Sequence, residues 1–202
     1  SLTASADRIT TMRLTERVHH VLRDRLQPGQ CAIDATAGNG HDTRVLAQLV
    51  APGGQVIAID RQANALAATR ARLDEAGLAR LCSFHQGDHA ELLTEWLPDR
   101  AGTVHALTFN LGYLPGGEKA ITTTAPGTRR ALDAARELLA PGGLLCVTAY
   151  RGHPGGKQEA EAVQSWMTAL EPAQWQVESH TPETRHPGRP PPVLWIAERT
   201  RP

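Results

Sequence analysis

The chain has 202 residues, and its 41% hydrophobic content fits one domain with a core of adequate size. Its 21 basic and 21 acidic side chains cancel, which excludes a global electrostatic attraction for nucleic acid, so an RNA substrate would require a local basic patch. No apolar run approaches membrane-spanning length and no signal-peptide pattern is present, and we predict a protein of the cytoplasm.

The three cysteines lie far apart in apolar, strand-like runs. Cys31, Cys82 and Cys146 show neither the spacing of metal ligands nor the pattern of a disulfide framework. We therefore predict buried thiols in a reducing compartment and no metal site.

Helix and strand patterns alternate along the chain. We expect a flexible leader at residues 1–7, then a helix from Ile9 to Leu26 that covers one edge of a sheet, with His19 and His20 on its surface. Strands are predicted at residues 31–33, 55–60, 81–86, 104–110, 144–150, 175–179 and 193–198. Helices are predicted over residues 63–76, 128–139 and 158–170, with shorter ones ending near residues 50 and 97.

This order of elements predicts the fold class. Strands that alternate with helices form a mostly parallel sheet. No helix separates the last two strands, so they should pair as an antiparallel hairpin at one edge. We predict a single α/β domain over residues 1–202 with a doubly wound sheet.

The most informative stretch is residues 34–43, which read as a strand end, a glycine turn and a helix start. Gly38 and Gly40 allow positive φ and a close approach of a ligand to the backbone. A dinucleotide turn would have a third glycine where this chain has Thr43. Asp34 and Asp42 would repel a pyrophosphate but attract the sulfonium and ammonium of S-adenosylmethionine (SAM). The predicted SAM contacts here are Asp34, Thr36, Gly38, Asn39, Gly40, His41, Asp42 and Thr43.

Asp42 also has a structural interpretation. Asn39 could be the N-cap of the following helix, with Asp42 three residues later favouring the helix dipole. The two roles of Asp42 are compatible.

Two further strand ends carry acids that suit a nucleoside. Asp60 follows Gly40 by 20 residues, where an acid accepts hydrogen bonds from ribose hydroxyls, although it could instead cap the helix before Gln62. Gln62 could help to bind the ribose. Asp88 is placed for the adenine amino group, and His89 either packs on the adenine or caps the next helix.

The fourth predicted strand ends in Asn110-Leu111-Gly112-Tyr113, and the first three of these residues are predicted to contact the cofactor as well. Asn-x-x-Tyr is similar to the Asn/Asp-Pro-Pro-Tyr turn of enzymes that methylate amino groups of nucleic acids. Asn110 would accept a hydrogen bond from the target amine, which orients the lone pair, while Tyr113 stacks on the base. Alternatively, Tyr113 only packs the loop.

The fifth predicted strand leads into a glycine loop on the same rim, with Tyr150, Arg151, His153 and Lys157 as candidate substrate contacts. His153 is also the candidate proton acceptor, because imidazole exchanges protons near neutral pH. Candidate phosphate contacts are Arg129, Arg130, Arg151, Lys157, Arg185 and Arg189.

Residues 34–43, 109–117 and 150–156 together closely resemble the motifs of the MnmM (YtqB-like) family, and the resemblance covers nearly the whole chain. It implies a class I SAM-dependent methyltransferase with strand order 3-2-1-4-5-7-6 and an antiparallel last strand. It also implies N-methylation of 5-aminomethyl-(2-thio)uridine at the tRNA wobble position, the anticodon stem-loop as partner, and a homodimer. The chain departs from the family pattern at Glu118, Arg151 and Arg185-His186.

Other functions stay open at this stage. The neutral charge permits methylation of a small metabolite, and rRNA is another substrate to consider. A nucleoside-binding module without catalysis fits less well, because both the acidic turn and Asn110-x-x-Tyr113 are present.

Overall fold

A computed structural model describes residues 13–112, 123–182, 188 and 190–201. Its strands are β1 (Cys31–Asp34), β2 (Gln55–Asp60), β3 (Cys82–Gln86), β4 (Val104–Leu111), β5 (Leu139–Ala149), β6 (Trp175–His180) and β7 (Val193–Arg199). Its helices are α1 (Leu14–Arg25), α2 (His41–Val50), α3 (Ala63–Glu75), α4 (His89–Glu95), α5 (Leu97–Arg100), α6 (Ala125–Leu138) and α7 (Gly156–Thr168), with a 3-10 turn at Ala79–Leu81.

The seven strands form one sheet in the order β3-β2-β1-β4-β5-β7-β6, which confirms the predicted topology. The first five strands are parallel, while β7 runs antiparallel to both β5 and β6. Asp34 at the end of β1 is in register with Ala58 of β2 and Thr108 of β4. The carboxyl ends of these central strands therefore meet at one rim, where ligands bind in open α/β sheets.

Helices cover both faces of the sheet because its strands alternate their side chains between two cores. Ala32 packs in the core beneath α1, α2 and α3, whereas Ile33 packs in the core beneath α4, α6 and α7. Leu22 of α1 and Leu132 of α6 are both fully buried. Burying a side chain of this size contributes about 1.5–3 kcal/mol to folding.

Several element boundaries differ from the predicted ones. Helix α6 begins at Ala125 instead of residue 128, because Thr124 Oγ1 accepts a hydrogen bond from Gly127 N and Pro126 suits the first turn. Strand β5 begins at Leu139 instead of residue 144, so residues 141–143 lie within it, next to a register shift in β4. The predicted helix ending near residue 97 is two helices, α4 and α5. The predicted leader lies outside the described residues.

The cysteines are less uniformly buried than predicted. Cys146 is buried, but Cys31 and Cys82 are half-buried. Burial raises the pKa of Cys82 to about 12. Within the described ranges, no cluster of His, Cys, Asp and Glu has the makings of a metal site, and no helix has both the length and the apolarity to cross a membrane.

Candidate functional site

The glycine turn after β1 is shaped by two residues with positive φ, Gly38 at +54° and Gly40 at +83°. A Cβ atom on Gly40 would lie 2.8 Å from Thr69 Cα, so the turn packs closely against α3. Gly40 precedes α2 as its N-cap, and the predicted capping by Asn39 is therefore wrong. Asn39 is exposed, and its carbonyl oxygen accepts a hydrogen bond from Arg72 Nε at 2.8 Å.

Asp34 lies at the base of this turn and is fully buried. Its carboxylate accepts hydrogen bonds from Thr43 Oγ1 at 2.6 Å and from Thr36 N at 3.2 Å. Burial, the nearby Asp42 carboxylate and, to a smaller extent, Asp60 raise the pKa of Asp34 to about 7, against the lowering effect of the two hydrogen bonds. The acids of the turn therefore repel one another and would be stabilised by a cation.

The end of β2 supplies acceptors and a donor for a ligand. Asp60 accepts hydrogen bonds from Gly38 N and Gln62 N, both at 2.9 Å. Helix α3 begins at Ala63 with Gln62 as its N-cap, so the alternative in which Asp60 caps that helix is wrong. In the described part of the chain, the buried Nε2 of Gln62 has no hydrogen-bond partner. A buried unpaired donor is unfavourable, and a ligand acceptor at this place would relieve it.

Asp88 is the N-cap of α4, where its Oδ1 accepts hydrogen bonds from Ala90 N at 2.8 Å and Glu91 N at 3.2 Å. Its Oδ2 pairs with Arg61. Partial burial raises the pKa of Asp88, but the bonds from Arg61 and Glu91 outweigh burial, and the pKa is lowered. Both carboxylate oxygens already have protein donors, so an adenine amino group would share them; this contact stays a prediction.

His89 is buried at the same strand end, with only 6% of its surface exposed. Its Nδ1 lies 3.2 Å from Ala35 O. Its ring packs edge-to-face against the Phe109 ring, with the ring centroids 5.3 Å apart. Burial lowers the pKa of His89, which favours the neutral ring. Because Asp88 is the N-cap of α4, the alternative in which His89 caps this helix is wrong. Packing of His89 on an adenine stays a prediction.

Asn110 is held at two points at the end of β4. Its backbone N–H donates to Thr36 Oγ1, and its side-chain Nδ2 donates to Asp42 Oδ2, each at 2.7 Å. A carboxylate only accepts, so the amide must turn its nitrogen toward Asp42. The carbonyl Oδ1 of Asn110 is consequently turned away from Asp42, as an acceptor for a ligand donor.

The expectation that His19 lies on the helix surface is wrong. Only 16% of its side chain is exposed, and its Nε2 lies 2.6 Å from Asp42 Oδ1. His20, with 66% of its side chain exposed, is on the surface as predicted. The signal for His19 was its position three residues before Leu22 and seven before Leu26, which places all three on one face of α1.

The loop after β5 brings His153 next to the end of β4. The His153 ring fills the space beside Gly112, whose φ is +77°, and a Cβ atom there would overlap the ring. A Cβ atom on Gly156 would lie 2.7 Å from His153 Cε1. Both ring nitrogens are buried, and neither has a hydrogen-bond partner within the described ranges. The ring thus lies against Gly112, two residues along from Asn110.

Other predicted contacts are spread along this rim. Leu111 is fully buried in the core, and its carbonyl oxygen accepts a hydrogen bond from Tyr150 N at 2.9 Å. Arg151 Nε donates to Pro191 O at 2.8 Å, which links the β5–α7 loop to the segment before β7. Lys157 is 81% exposed and lies 3.9 Å from Glu161. His41, Arg129 and Arg130 are exposed.

The predicted contacts Tyr113, Arg185 and Arg189 lie outside the described residues, as do Glu118 and His186, where the chain departs from the family pattern. Their roles stay predictions.

Sequence reasoning missed Glu159 in the first turn of α7. It is 1% exposed, and its two carboxylate oxygens accept hydrogen bonds from Thr123 Oγ1 at 2.8 Å and Thr128 Oγ1 at 2.7 Å. Glu159 therefore joins α7 to α6 and to the segment just before it. Its spacing from Val163 and Trp166 places it on the apolar face of the helix, and this was the available signal.

Comparison with known proteins places this arrangement in a family. The family model described as "Putative rRNA methylase" matches residues 56–198. The chain belongs to this family. A second family model, for protein-L-isoaspartate(D-aspartate) O-methyltransferase, matches residues 3–98, which are less than half of the chain.

Individual relatives agree with this assignment. The chloroplastic tRNA (mnm(5)s(2)U34)-methyltransferase of Arabidopsis thaliana is 38% identical over an alignment of 177 residues. The alignment covers 81% of this chain and 62% of that relative's length. A Clostridium thermocellum protein of the same description as the family has a TM-score of 0.84 and 31% identity, over 94% of this chain and 99% of its own. SMU.1697c from Streptococcus mutans, solved in complex with SAH, has a TM-score of 0.79 and 29% identity, over 93% of this chain and 98% of its own. The predicted family and the class I methyltransferase fold are confirmed.

Proposed function

We propose that this chain is a SAM-dependent N-methyltransferase that converts 5-aminomethyl-(2-thio)uridine at the tRNA wobble position into its methylaminomethyl product. The observation that carries the proposal is the anchored amide of Asn110, which presents an acceptor at the strand end beside the acidic glycine turn. The name of the Arabidopsis relative supports the substrate, and the SAH complex of the Streptococcus mutans protein supports the cofactor.

The residues of the first two strand ends fit SAM. The buried Asp34 and the neighbouring Asp42 suit its cationic methionine portion, because that charge would offset their mutual repulsion. Asp60 retains lone pairs for ribose hydroxyls, and the unpaired Gln62 Nε2, in the part of the chain that the structure describes, offers a donor to the nucleoside. Gly38 lets the ligand approach the backbone.

Two side chains would act on the substrate amine. SAM supplies an electrophilic methyl group when bound. Asn110 Oδ1 accepts a hydrogen bond from the amine and so aims its lone pair along the line of displacement. Transfer of that methyl group would form the N–C bond and break the C–S bond, whose electron pair would go to sulfur. His153 takes the proton that the amine must release, since its buried ring nitrogens have no partner within the described ranges.

The tRNA would lie on the rim beyond Asn110. Tyr113 follows Asn110 by three residues as the candidate for stacking on the base, and the exposed Arg129, Arg130 and Lys157 are candidates for phosphate contacts. We also propose a homodimer and a cytoplasmic location, as the family resemblance and the composition predict. The family description, "Putative rRNA methylase", favours rRNA as a second candidate substrate.

The test is the transfer of labelled methyl groups from SAM to tRNA carrying 5-aminomethyluridine, to rRNA and to a small-molecule extract. Label in the wobble nucleoside supports the proposal, and label only in rRNA or in a metabolite contradicts it.

Asn110→Ala should lower kcat on the order of a hundredfold with SAM affinity nearly unchanged, because an orienting contact acts on the transition state. The matched control is Asn64→Ala, an exposed asparagine on α3. Near-full turnover by Asn110→Ala would place the active site elsewhere.

A further inference from the structure

A row of three side chains joins helix α1 to the end of β4. His19 Nε2 lies 2.6 Å from Asp42 Oδ1, and Asp42 Oδ2 accepts the hydrogen bond from Asn110 Nδ2 at 2.7 Å. The side chains of His19 and Asp42 are only 16% and 15% exposed. Water therefore competes weakly for these bonds, and the fold alone brings the three residues together.

The direction of each bond follows from the chemistry of the groups. A carboxylate accepts but does not donate, so the His19 Nε2 carries the hydrogen and the Asn110 amide turns its nitrogen inward. The final torsion of an aspartate side chain is broad, and one hydrogen bond leaves it poorly defined. Two donors, one on each oxygen, fix the Asp42 carboxylate plane and with it the direction of the Asn110 amide.

We propose that His19 is a positioning residue for methyl transfer. It donates to Asp42 so that Asp42 holds the Asn110 amide with Oδ1 toward the acceptor amine, although His19 itself contacts no reacting atom. This inference rests on the proposed function of Asn110. It assigns a role in turnover to a helix that precedes the whole cofactor-binding sheet.

Three variants test the assignment. His19→Ala removes the donor, and kcat should fall about tenfold or more, because small misplacements of a reacting group are costly. SAM affinity and KM for tRNA should change by less than about threefold, since Asp42 keeps its charge. His19→Gln places an amide donor where Nε2 was and should restore most of kcat. His20→Ala, on the exposed side of the same helix, should behave as wild type.

A spectroscopic readout separates this inference from the proposed substrate. The side-chain amide signals of Asn110, identified in ¹H–¹⁵N spectra by their loss in Asn110→Ala, should shift in His19→Ala and return in His19→Gln. If wild type does not methylate tRNA, the proposed function fails, and these signals still decide whether His19 positions Asn110. Unmoved amide signals in His19→Ala would overturn the inference. So would a kcat of His19→Ala within about twofold of an active wild type.

Discussion

Replacing Asp34 with asparagine should change stability and cofactor affinity in opposite directions. The substitution keeps the size of the side chain and its hydrogen bonds, because the new amide nitrogen can donate to Thr43 Oγ1 and the new amide oxygen can accept from Thr36 N. What it removes is a carboxylate that is fully buried beside two other acids. The protein without ligand should therefore become more stable, while its affinity for the positively charged SAM should fall.

The magnitude follows from the pKa of Asp34, raised from 3.8 to about 7. Each unit corresponds to about 1.4 kcal/mol, so ionising Asp34 in the folded state costs up to about 4 kcal/mol above neutral pH. Between about pH 4 and pH 7, Asp34 is protonated in the folded state but ionised in the unfolded chain. The free energy of unfolding therefore falls as the pH rises through that window. The amide of the variant does not titrate, and we expect Asp34→Asn to be more stable by about 1–3 kcal/mol at pH 8 and by less than half as much at pH 5.

Chemical unfolding at both pH values measures the first effect, and calorimetric titration with SAM measures the second. Loss of the negative charge that suits the cationic methionine portion predicts a SAM affinity roughly ten- to a hundredfold lower. Asp24→Asn is the control, because 61% of that side chain is exposed. A variant that is less stable at pH 8 and also binds SAM normally would refute the reasoning about this site.

Two further predictions concern glycines. Gly40 and Gly53 share a φ of +83°, but only Gly40 would place a Cβ atom against Thr69, so Gly53→Ala should lower the free energy of unfolding by about 1–2 kcal/mol and Gly40→Ala by about 1–3 kcal/mol more. Equal losses in chemical unfolding would contradict the close packing of Gly40. Gly112→Ala should displace the His153 ring and lower kcat for methyl transfer at least about tenfold, with a smaller effect on SAM affinity measured by calorimetry. An unchanged kcat would argue against His153 as the proton acceptor.

The sheet and its functional rim could be predicted because apolar strands and the polar residues that end them are local patterns. Asp34, Asp60 and Asn110 lie at the ends of such strands, and parallel strands bring them to one edge. The chain could not show which polar atoms pair across distant elements. His19 meets a carboxylate 23 residues away, and Glu159 meets Thr123 36 residues away.

Local hydrogen-bonding preferences also misled the prediction of caps. Asn39 is a good capping residue by type, yet Gly40 occupies that place because the turn requires a positive φ just before α2. Likewise, Asp88 and not His89 is the N-cap of α4, because the Asp88 carboxylate accepts hydrogen bonds from two helix N–H groups. In both cases the backbone path, which the sequence does not specify, decided between neighbouring candidates.

The hydrogen bonds that Asn110 donates to Asp42 and Thr36 have a consequence for recombining this chain with its relatives. The glycine turn after β1 and the strand that ends near Asn110 lie in different halves of the chain, so a chimera joined in the loop before Val104 would take them from different parents. We expect such a hybrid to keep the proposed site only if the incoming β4 ends in a side chain that can donate to Asp42. Compatibility at this one junction, more than overall similarity, should decide which hybrids are active.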